Sequence, residues 1–170
     1  IIWFVNLNQS LDLNPSNIFI GNQIVNDGKY LAISSNDFTY IIDLNTGSIL
    51  YKKNFSSFLR PIILDKYLFT ITKNNFLITM NINNGKIIYS YDLNSKIAEF
   101  LNIKKKDADI KNFMILNEKI IIFLKNSFIL ITNINGNLEQ IRKLPTKINT
   151  YPIIIDKSLL YLDKKNKISI

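Results

Sequence analysis

The chain contains no cysteine and no histidine. Without cysteine there is no disulfide framework and no thiolate metal site, although the redox compartment stays open because many exported proteins also lack it. Without histidine, the commonest general base and the commonest metal ligand are both missing, so an enzymatic reading starts at a disadvantage. Glycine (5) and proline (4) are scarce among 170 residues, so any that recur at matching places carry weight. No apolar run approaches the roughly eighteen residues a helix needs to cross a bilayer. The opening Ile1-Ile2-Trp3-Phe4-Val5 is too short for a signal-peptide core and has no basic stretch before it. It also lacks an initiating Met, so any targeting signal is expected outside this stretch.

What the chain does have is isoleucine, asparagine and lysine, which together make up close to half of it. That bias reads as an AT-rich coding background, and it tempers the formal charge of +8. A basic balance can mark nucleic acid or an anionic membrane as a partner. Here the lysines are scattered through turns and strand ends with no continuous basic stripe, so a nucleic-acid partner is not expected. The 47% hydrophobic content suffices for a sizeable core.

Three columns of residues repeat along the chain. In the first, Asn36-Asp37-Phe38, Asn74-Asn75-Phe76, Asn126-Ser127-Phe128 and Asn166-Lys167-Ile168 share Asn, a polar residue and a bulky apolar one, with spacings of 38, 52 and 40 residues (36 to 74, 74 to 126, 126 to 166). In the second, Asp43-Leu44-Asn45-Thr46-Gly47 matches Asn81-Ile82-Asn83-Asn84-Gly85 and the shorter Asn133-Ile134-Asn135-Gly136. Glycine closing an Asn-rich turn supplies the positive φ that a tight hairpin needs. In the third, Arg60-Pro61-Ile62-Ile63-Leu64-Asp65-Lys66 is nearly repeated as Tyr151-Pro152-Ile153-Ile154-Ile155-Asp156-Lys157, with Phe113 to Asn117 and Ile24 to Gly28 in the same place.

Between the columns lie short runs rich in Val, Ile, Phe and Tyr. Second strands are expected at 30–34, 67–72, 120–124 and 159–162, and third strands at 38–44, 76–82, 128–134 and from 168 onward. Many are apolar on both faces, as in sheets stacked against one another. Four strands per unit of about 40 residues is the arithmetic of a β-propeller. A β-sandwich would not repeat its turn chemistry at a fixed period, and a β-helix usually has a shorter repeat. The expected fold is therefore all-β, a partial β-propeller of about four four-stranded antiparallel blades. Blades are expected at about 17–56, 58–93 and 111–145, blade remnants at 1–9 and 150–170, and an insertion at 94–110. The fourth strands Gly47 to Tyr51 and Gly85 to Tyr89 place Ile1-Ile2-Trp3 in a fourth strand of an earlier blade, and Ile168 to Ile170 open a third strand. Both ends thus read as cut, and an open arc is expected.

The repeat Asp43 to Tyr51 resembles that of the pyrroloquinoline-quinone-type propellers, Ala-x-Asp-x-x-Thr-Gly-x-x-x-Trp followed by a Pro-led apolar strand, which Arg60-Pro61 and Tyr151-Pro152 match. Within that group the chain most resembles the BamB family of lipoprotein scaffolds in outer-membrane β-barrel assembly. Tyr51 and Tyr89 stand where that repeat has Trp, and Gln140 breaks the column. The resemblance implies eight blades, no catalysis, no cofactor and a periplasmic, outer-membrane-associated location. It further implies a lipid anchor outside this chain as the sole membrane contact, and docking to a BamA-like partner through loops on one face. The alternative is a fragment of a quinoprotein dehydrogenase or a ligand-binding propeller whose active residues lie in blades not present here. Such an enzyme needs calcium-binding carboxylates and typically a vicinal cysteine pair, and this chain offers neither.

Candidate partner-binding residues fall in two places. The insertion is the one non-repetitive element, and Ser95 is expected to cap a short helix carrying Ile97, Phe100, Leu101 and Lys104, followed by Lys105, Lys106 and Asp107. Exposed apolar residues beside charge would make it a docking loop. A helix that merely covers the blade edge would instead bury Phe100 and Leu101. Leu59 and Arg60, on an interblade connection, are the second place; Arg60 either anchors an interface or caps a neighbouring turn. The Asn-rich turns at 74–75 and 83–84 are read as turn chemistry rather than glycosylation or ligand loops. Asp12, Asp37, Asp43, Asp65 and Asp156 recur at turns without spacings suited to acid–base chemistry or a calcium loop. Trp3, Tyr51 and Tyr89 form one aromatic column, expected to pack between blades. No catalytic, cofactor-binding or metal-binding residue is expected.

Overall fold

The computed structural model describes residues 2–7, 21–35, 37–156 and 158–169. Asp12, Asn36 and the expected start of the first blade at 17 lie outside the described residues. The strands fall into antiparallel meanders. The first is β1 (Val25–Asn26), β2 (Tyr30–Ser35), β3 (Phe38–Asp43) and β4 (Ile49–Lys53). The second is β5 (Ile62–Leu64), β6 (Tyr67–Ile71), β7 (Phe76–Asn81) and β8 (Ile87–Asp92). A helix, α1 (Leu93–Leu101), precedes the third, made of β9 (Ile110–Leu116), β10 (Lys119–Leu124), β11 (Phe128–Asn133) and β12 (Leu138–Lys143). The last sheet has three strands, β13 (Ile153–Ile155), β14 (Ser158–Leu162) and β15 (Ile168–Ser169). These are the blades of a partial β-propeller. The chain divides into two compact units, Ile1–Asp92 and Leu93–Ile170, with two blades in each.

The middle strands are buried on both faces, as their apolar runs require. In β6, the consecutive residues Leu68, Phe69, Thr70 and Ile71 are all at most 1% exposed. A strand flanked by solvent on one side would expose every second one. The burial comes from neighbouring blades. In the first unit Val25, Ala32 and Ile41 of one blade share a cluster with Leu68, Met80 and Ile82 of the next. In the second unit Phe123 and Ile129 share one with Ile148 and Tyr161.

One irregularity recurs in every complete blade. The pairing of the third and fourth strands slips between Ile41 and Ile42, between Thr79 and Met80, and between Ile131 and Thr132. These are matching positions, and a bulge raises local twist, which suits a blade. Just beyond each bulge sits the polar residue that opens the glycine turn. Asp43 Oδ1 accepts from the amides of Asn45 and Thr46 (3.0 and 2.8 Å). Asn81 Oδ1 accepts from Asn83 N, and Asn133 Oδ1 from Asn135 N. Gly47, Gly85 and Gly136 follow at φ of 73°, 68° and 84°.

Asp and Asn thus do the same work in different blades. The amide of Thr46, then its hydroxyl, hold the Asp43 carboxyl below its ordinary value, with Asn45 N and Lys29 adding to the effect. A depressed carboxyl contributes stability at neutral pH that is lost as pH falls through its folded value. Asp43→Asn is therefore expected to be tolerated better than Asp43→Ala at pH 7, and to show less acid sensitivity than the parent. Urea midpoints at neutral and acid pH, compared across the three proteins, check this.

The asparagine column needs one adjustment. Positive φ falls on Asn75, Ser127 and Asn166, so Asn166 matches the second position of the trio, not the first. The hairpins agree: Thr72 N donates to Phe76 O and Asn75 N to Thr72 O, while Asp163 N donates to Lys167 O and Asn166 N to Asp163 O. Lys167 therefore takes the place of Phe76, and β15 starts one residue later. Asn83 and Asn84 are not left-handed; Asn84 Oδ1 instead accepts from Lys86 N.

The aromatic column packs between blades where it can be followed within the first unit. Trp3 lies against Gly47, and its Nε1 donates to Leu44 O at 2.8 Å. Tyr51 lies against Gly85 in the next blade, and its hydroxyl donates to Asn83 O at 2.8 Å. Tyr89 holds the equivalent place in β8, stacked on Tyr91 at 5.1 Å. Residues 2–7 are not a strand, contrary to the expectation for Ile1-Ile2-Trp3. A strand needs a ladder, and among the described residues no β-ladder includes this segment; Trp3 keeps the column's packing role without it.

Candidate functional site

The insertion is built as a clasped helix. Leu93 is 2% exposed and Asn94 is 5% exposed. Asn94 Oδ1 accepts from Ala108 N at 2.9 Å, and its Nδ2 donates to Asp107 Oδ1 at 3.1 Å. One side chain thereby ties the start of the insertion to its end. This anchor sets the helix start: α1 begins at Leu93, so Ser95 lies inside the first turn and is not the cap. The far end closes in a Schellman arrangement, with Ile103 N donating to Ala98 O, Asn102 N to Glu99 O, and Asn102 at φ 51°.

The helix lies beside β12, and a cleft of about 230 Å³ between them is lined by Lys96, Glu99, Phe100, Asn137 and Leu138. It thus touches the edge strand β12 at its start, while Glu139, Arg142 and Lys143 further along stay exposed. Ile97 is half-buried, but the apolar residues at the far end of the helix do not go inward. Phe100 is 48% exposed, Leu101 45% and Ile103 52%. Lys104, Lys105 and Lys106 follow, all exposed. Lys96 pairs with Glu99 at 3.6 Å, one turn away on the same helix. The result is an apolar patch at the end of a fixed helix, next to three lysines. Ile103 was not singled out in the sequence, because it falls past the helical spacing; its exposure follows from the Schellman turn.

Leu59 and Arg60 belong to the first unit. Leu59 is half-buried and its backbone is held from two sides. Ser57 Oγ accepts from Leu59 N at 2.9 Å, and Asn22 Nδ2 of the preceding blade donates to Leu59 O at 3.0 Å. The capping contact expected at this connection therefore falls on the Leu59 carbonyl, while the Arg60 side chain is exposed. Asp37 forms a 3.7 Å ion pair with Lys73, Asp43 caps its turn, and Asp65 and Asp156 are left-handed turn residues.

No protein-family profile matches the chain, and no curated protein matches it by sequence. Solved structures do match. BamB from Moraxella catarrhalis superposes with a TM-score of 0.68 at 14% identity, over 86% of this chain and 41% of that one. The computationally designed Ika8 protein gives 0.61 at 11% identity, over 85% of this chain and 43% of that one. The designed Ika4 protein gives 0.60 at 12% identity, over 87% of this chain and 89% of that one. This chain thus spans less than half the length of the BamB and Ika8 chains. At these identities the likeness establishes one thing, the β-propeller fold of the chain.

Proposed function

We propose that this chain is part of a non-catalytic propeller scaffold that holds a protein partner on its helical insertion. The observation that carries the reading is the exposure of Phe100, Leu101 and Ile103 on a helix whose start is clasped by Asn94 and whose far end closes in a Schellman turn. A mobile loop would lose entropy on binding, whereas a clasped helix presents its anchors ready-made. Apolar anchors inside a polar rim on a rigid frame are the usual make-up of a protein-docking patch. The repeat, with Asp43, Thr46, Gly47 and Pro61 at their places and Tyr51 in place of the Trp, supports the finer proposal of a BamB-like component of outer-membrane β-barrel assembly, periplasmic and held to the membrane through an anchor elsewhere in the protein. Its partner would then be a BamA-like barrel-assembly component.

The test is affinity capture of the full-length protein from detergent-solubilised envelope membranes. The parent is expected to recover a barrel-assembly component, and the double variant Phe100→Ser, Leu101→Ser to recover at least about tenfold less, as for anchors at an interface centre. Both side chains are about half exposed, so the urea midpoint of the double variant should stay close to that of the parent. Absence of any barrel-assembly component from the parent's eluate sinks the finer proposal. Equal recovery by the variant removes the helix from the interface.

A further inference from the structure

Lysines scattered along a propeller sequence are not scattered in space, because turns of one class all emerge at the same end of the blades. In the second unit four segments meet at one end: 109–111, 125–127, 147–149 and 163–167. Lys125 N donates to Asp109 O, and Lys164 N to Lys147 O. Lys111 Nζ donates to Ile148 O at 2.9 Å and also to Asn149 O. Asn149 Nδ2 reaches Asn166 Oδ1 at 3.5 Å. These four segments hold six lysines, Lys111, Lys125, Lys147, Lys164, Lys165 and Lys167, against two aspartates, Asp109 and Asp163.

The two acids do little to balance them. Asp109 is engaged by Lys125 at 2.7 Å. Asp163 is 6% exposed and turned into its own hairpin, accepting from Lys165 N and Lys167 N. Desolvation, then the charges of Lys164 and Lys125, push the Lys111 ammonium below its ordinary value, consistent with crowding of like charge. All the lysines but the half-buried Lys111 are exposed. Among the described residues of the opposite end there is no such excess: Lys119 pairs with Glu139, and the turns there also carry Glu118 and Asp156.

We propose that this end of the second unit is an electrostatic docking face for an acidic segment of a protein partner. This goes beyond the helical patch, since it rests on other residues and other forces. Its chemistry selects among polyanions. The four segments contain no aromatic residue on which a base could stack, as single-stranded nucleic acid requires. They carry no exposed large apolar side chain themselves, and Ile168, 71% exposed directly after Lys167, is a single one, too little to enter a bilayer. What remains is point-charge complementarity to carboxylates, which sets encounter rate and specificity and weakens as salt screens it.

The test uses the full-length protein and a fluorescein-labelled peptide of about twelve residues, mostly glutamate, followed by anisotropy. Binding is expected at low salt, with affinity falling about tenfold or more as ionic strength rises to a few tenths molar. The variant Lys125→Gln, Lys164→Gln, Lys165→Gln, Lys167→Gln should weaken it at least about tenfold. Lys104→Gln, Lys105→Gln, Lys106→Gln should weaken it less than the four-lysine variant does, ranking this face above the helical insertion. These are exposed side chains, and an unchanged urea midpoint shows that the fold persists. Equal binding of the four-lysine variant, or tighter binding of duplex DNA or anionic vesicles than of the peptide, overturns the proposal.

Discussion

Phe123→Ala is expected to destabilise the protein by about 3–5 kcal/mol, the range for deleting a buried phenyl ring and leaving its cavity. Phe123 is fully buried in β10, and its cluster reaches two blades. Ile129 comes from its own sheet, Ile148 from the connection that follows β12, and Tyr161 from β14. The ring is therefore shared property of the third blade and the three-stranded sheet after it. Ile153, Ile155 and Ile168 of that sheet are each at least half exposed. Its ties to the third blade are therefore this cluster, which Leu159 also joins, the Tyr151 hydroxyl donating to Phe113 O at 2.9 Å, and the Lys111 ammonium on the connection before it. Loss of the ring should accordingly show first as faster amide exchange in β13 and β14, before the central strands of the third blade respond. Phe123→Leu, which keeps most of the volume, should cost about 1.5 kcal/mol or less. Ile168→Ala, at 71% exposure, should stay within about 0.5 kcal/mol of the parent. Urea denaturation of the three variants measures all of these; a loss below about 1 kcal/mol for Phe123→Ala would mean that the cavity collapses and the ring is not the joint we take it to be.

The repeat made much of this fold legible in advance. Turn residues fall at fixed offsets from apolar runs, so Asp43 with Gly47 and Asn81 with Gly85 mark both the bulge and the hairpin that follows it. Bounds of the second and third strands agree within about one residue because each is set by such a turn, whereas the fourth strands start two residues later than expected and β8 runs three residues further. The failures are local. Asn166 was aligned by its identity, but hairpin geometry aligns by φ, and the left-handed position is held by Asn75 in one blade and Ser127 in another. Ser95 looked like a cap because capping chemistry is readable from sequence. The true anchor, Asn94 to Asp107 and Ala108, joins residues thirteen and fourteen apart across an irregular loop, and no periodicity announces it.

The candidate sites were legible only in part, for a related reason. Phe100 and Leu101 could be placed on a helix, but whether that helix turns them inward depends on where β12 lies beside it. The basic face was missed outright. Read along the chain, Lys111, Lys125, Lys147 and Lys164 are spaced by more than ten residues and look like background. The meander sends every second-to-third turn to the same end as every interblade connection, and the turn hydrogen bonds then bring them together. Charge patterning is therefore a property of topology here, not of local sequence.

Gly85→Ala is expected to cost about 3 kcal/mol, of which strain supplies only about 1. Gly85 sits at φ 68°, where an L side chain is disfavoured in any surroundings. A methyl group there would also lie 2.6 Å from Tyr51 Cδ1 and 2.9 Å from Cε1 and Cγ. The ring cannot swing away freely, since its hydroxyl is bonded to Asn83 O in the same turn. Either the ring leaves and that bond is lost, at about 1 kcal/mol, or the turn shifts and the interblade contact opens. Gly28 provides the comparison. Its φ is 92°, yet nothing lies within 4 Å of the methyl position, so Gly28→Ala should show strain alone, about 1 kcal/mol. A double-mutant cycle then isolates the contact. In a Tyr51→Ala background the obstacle is gone, and Gly85→Ala should cost no more than Gly28→Ala does. If Gly85→Ala costs the same with and without the Tyr51 ring, the aromatic column does not lock one blade's turn to the next, and its recurrence at Trp3, Tyr51 and Tyr89 needs another cause.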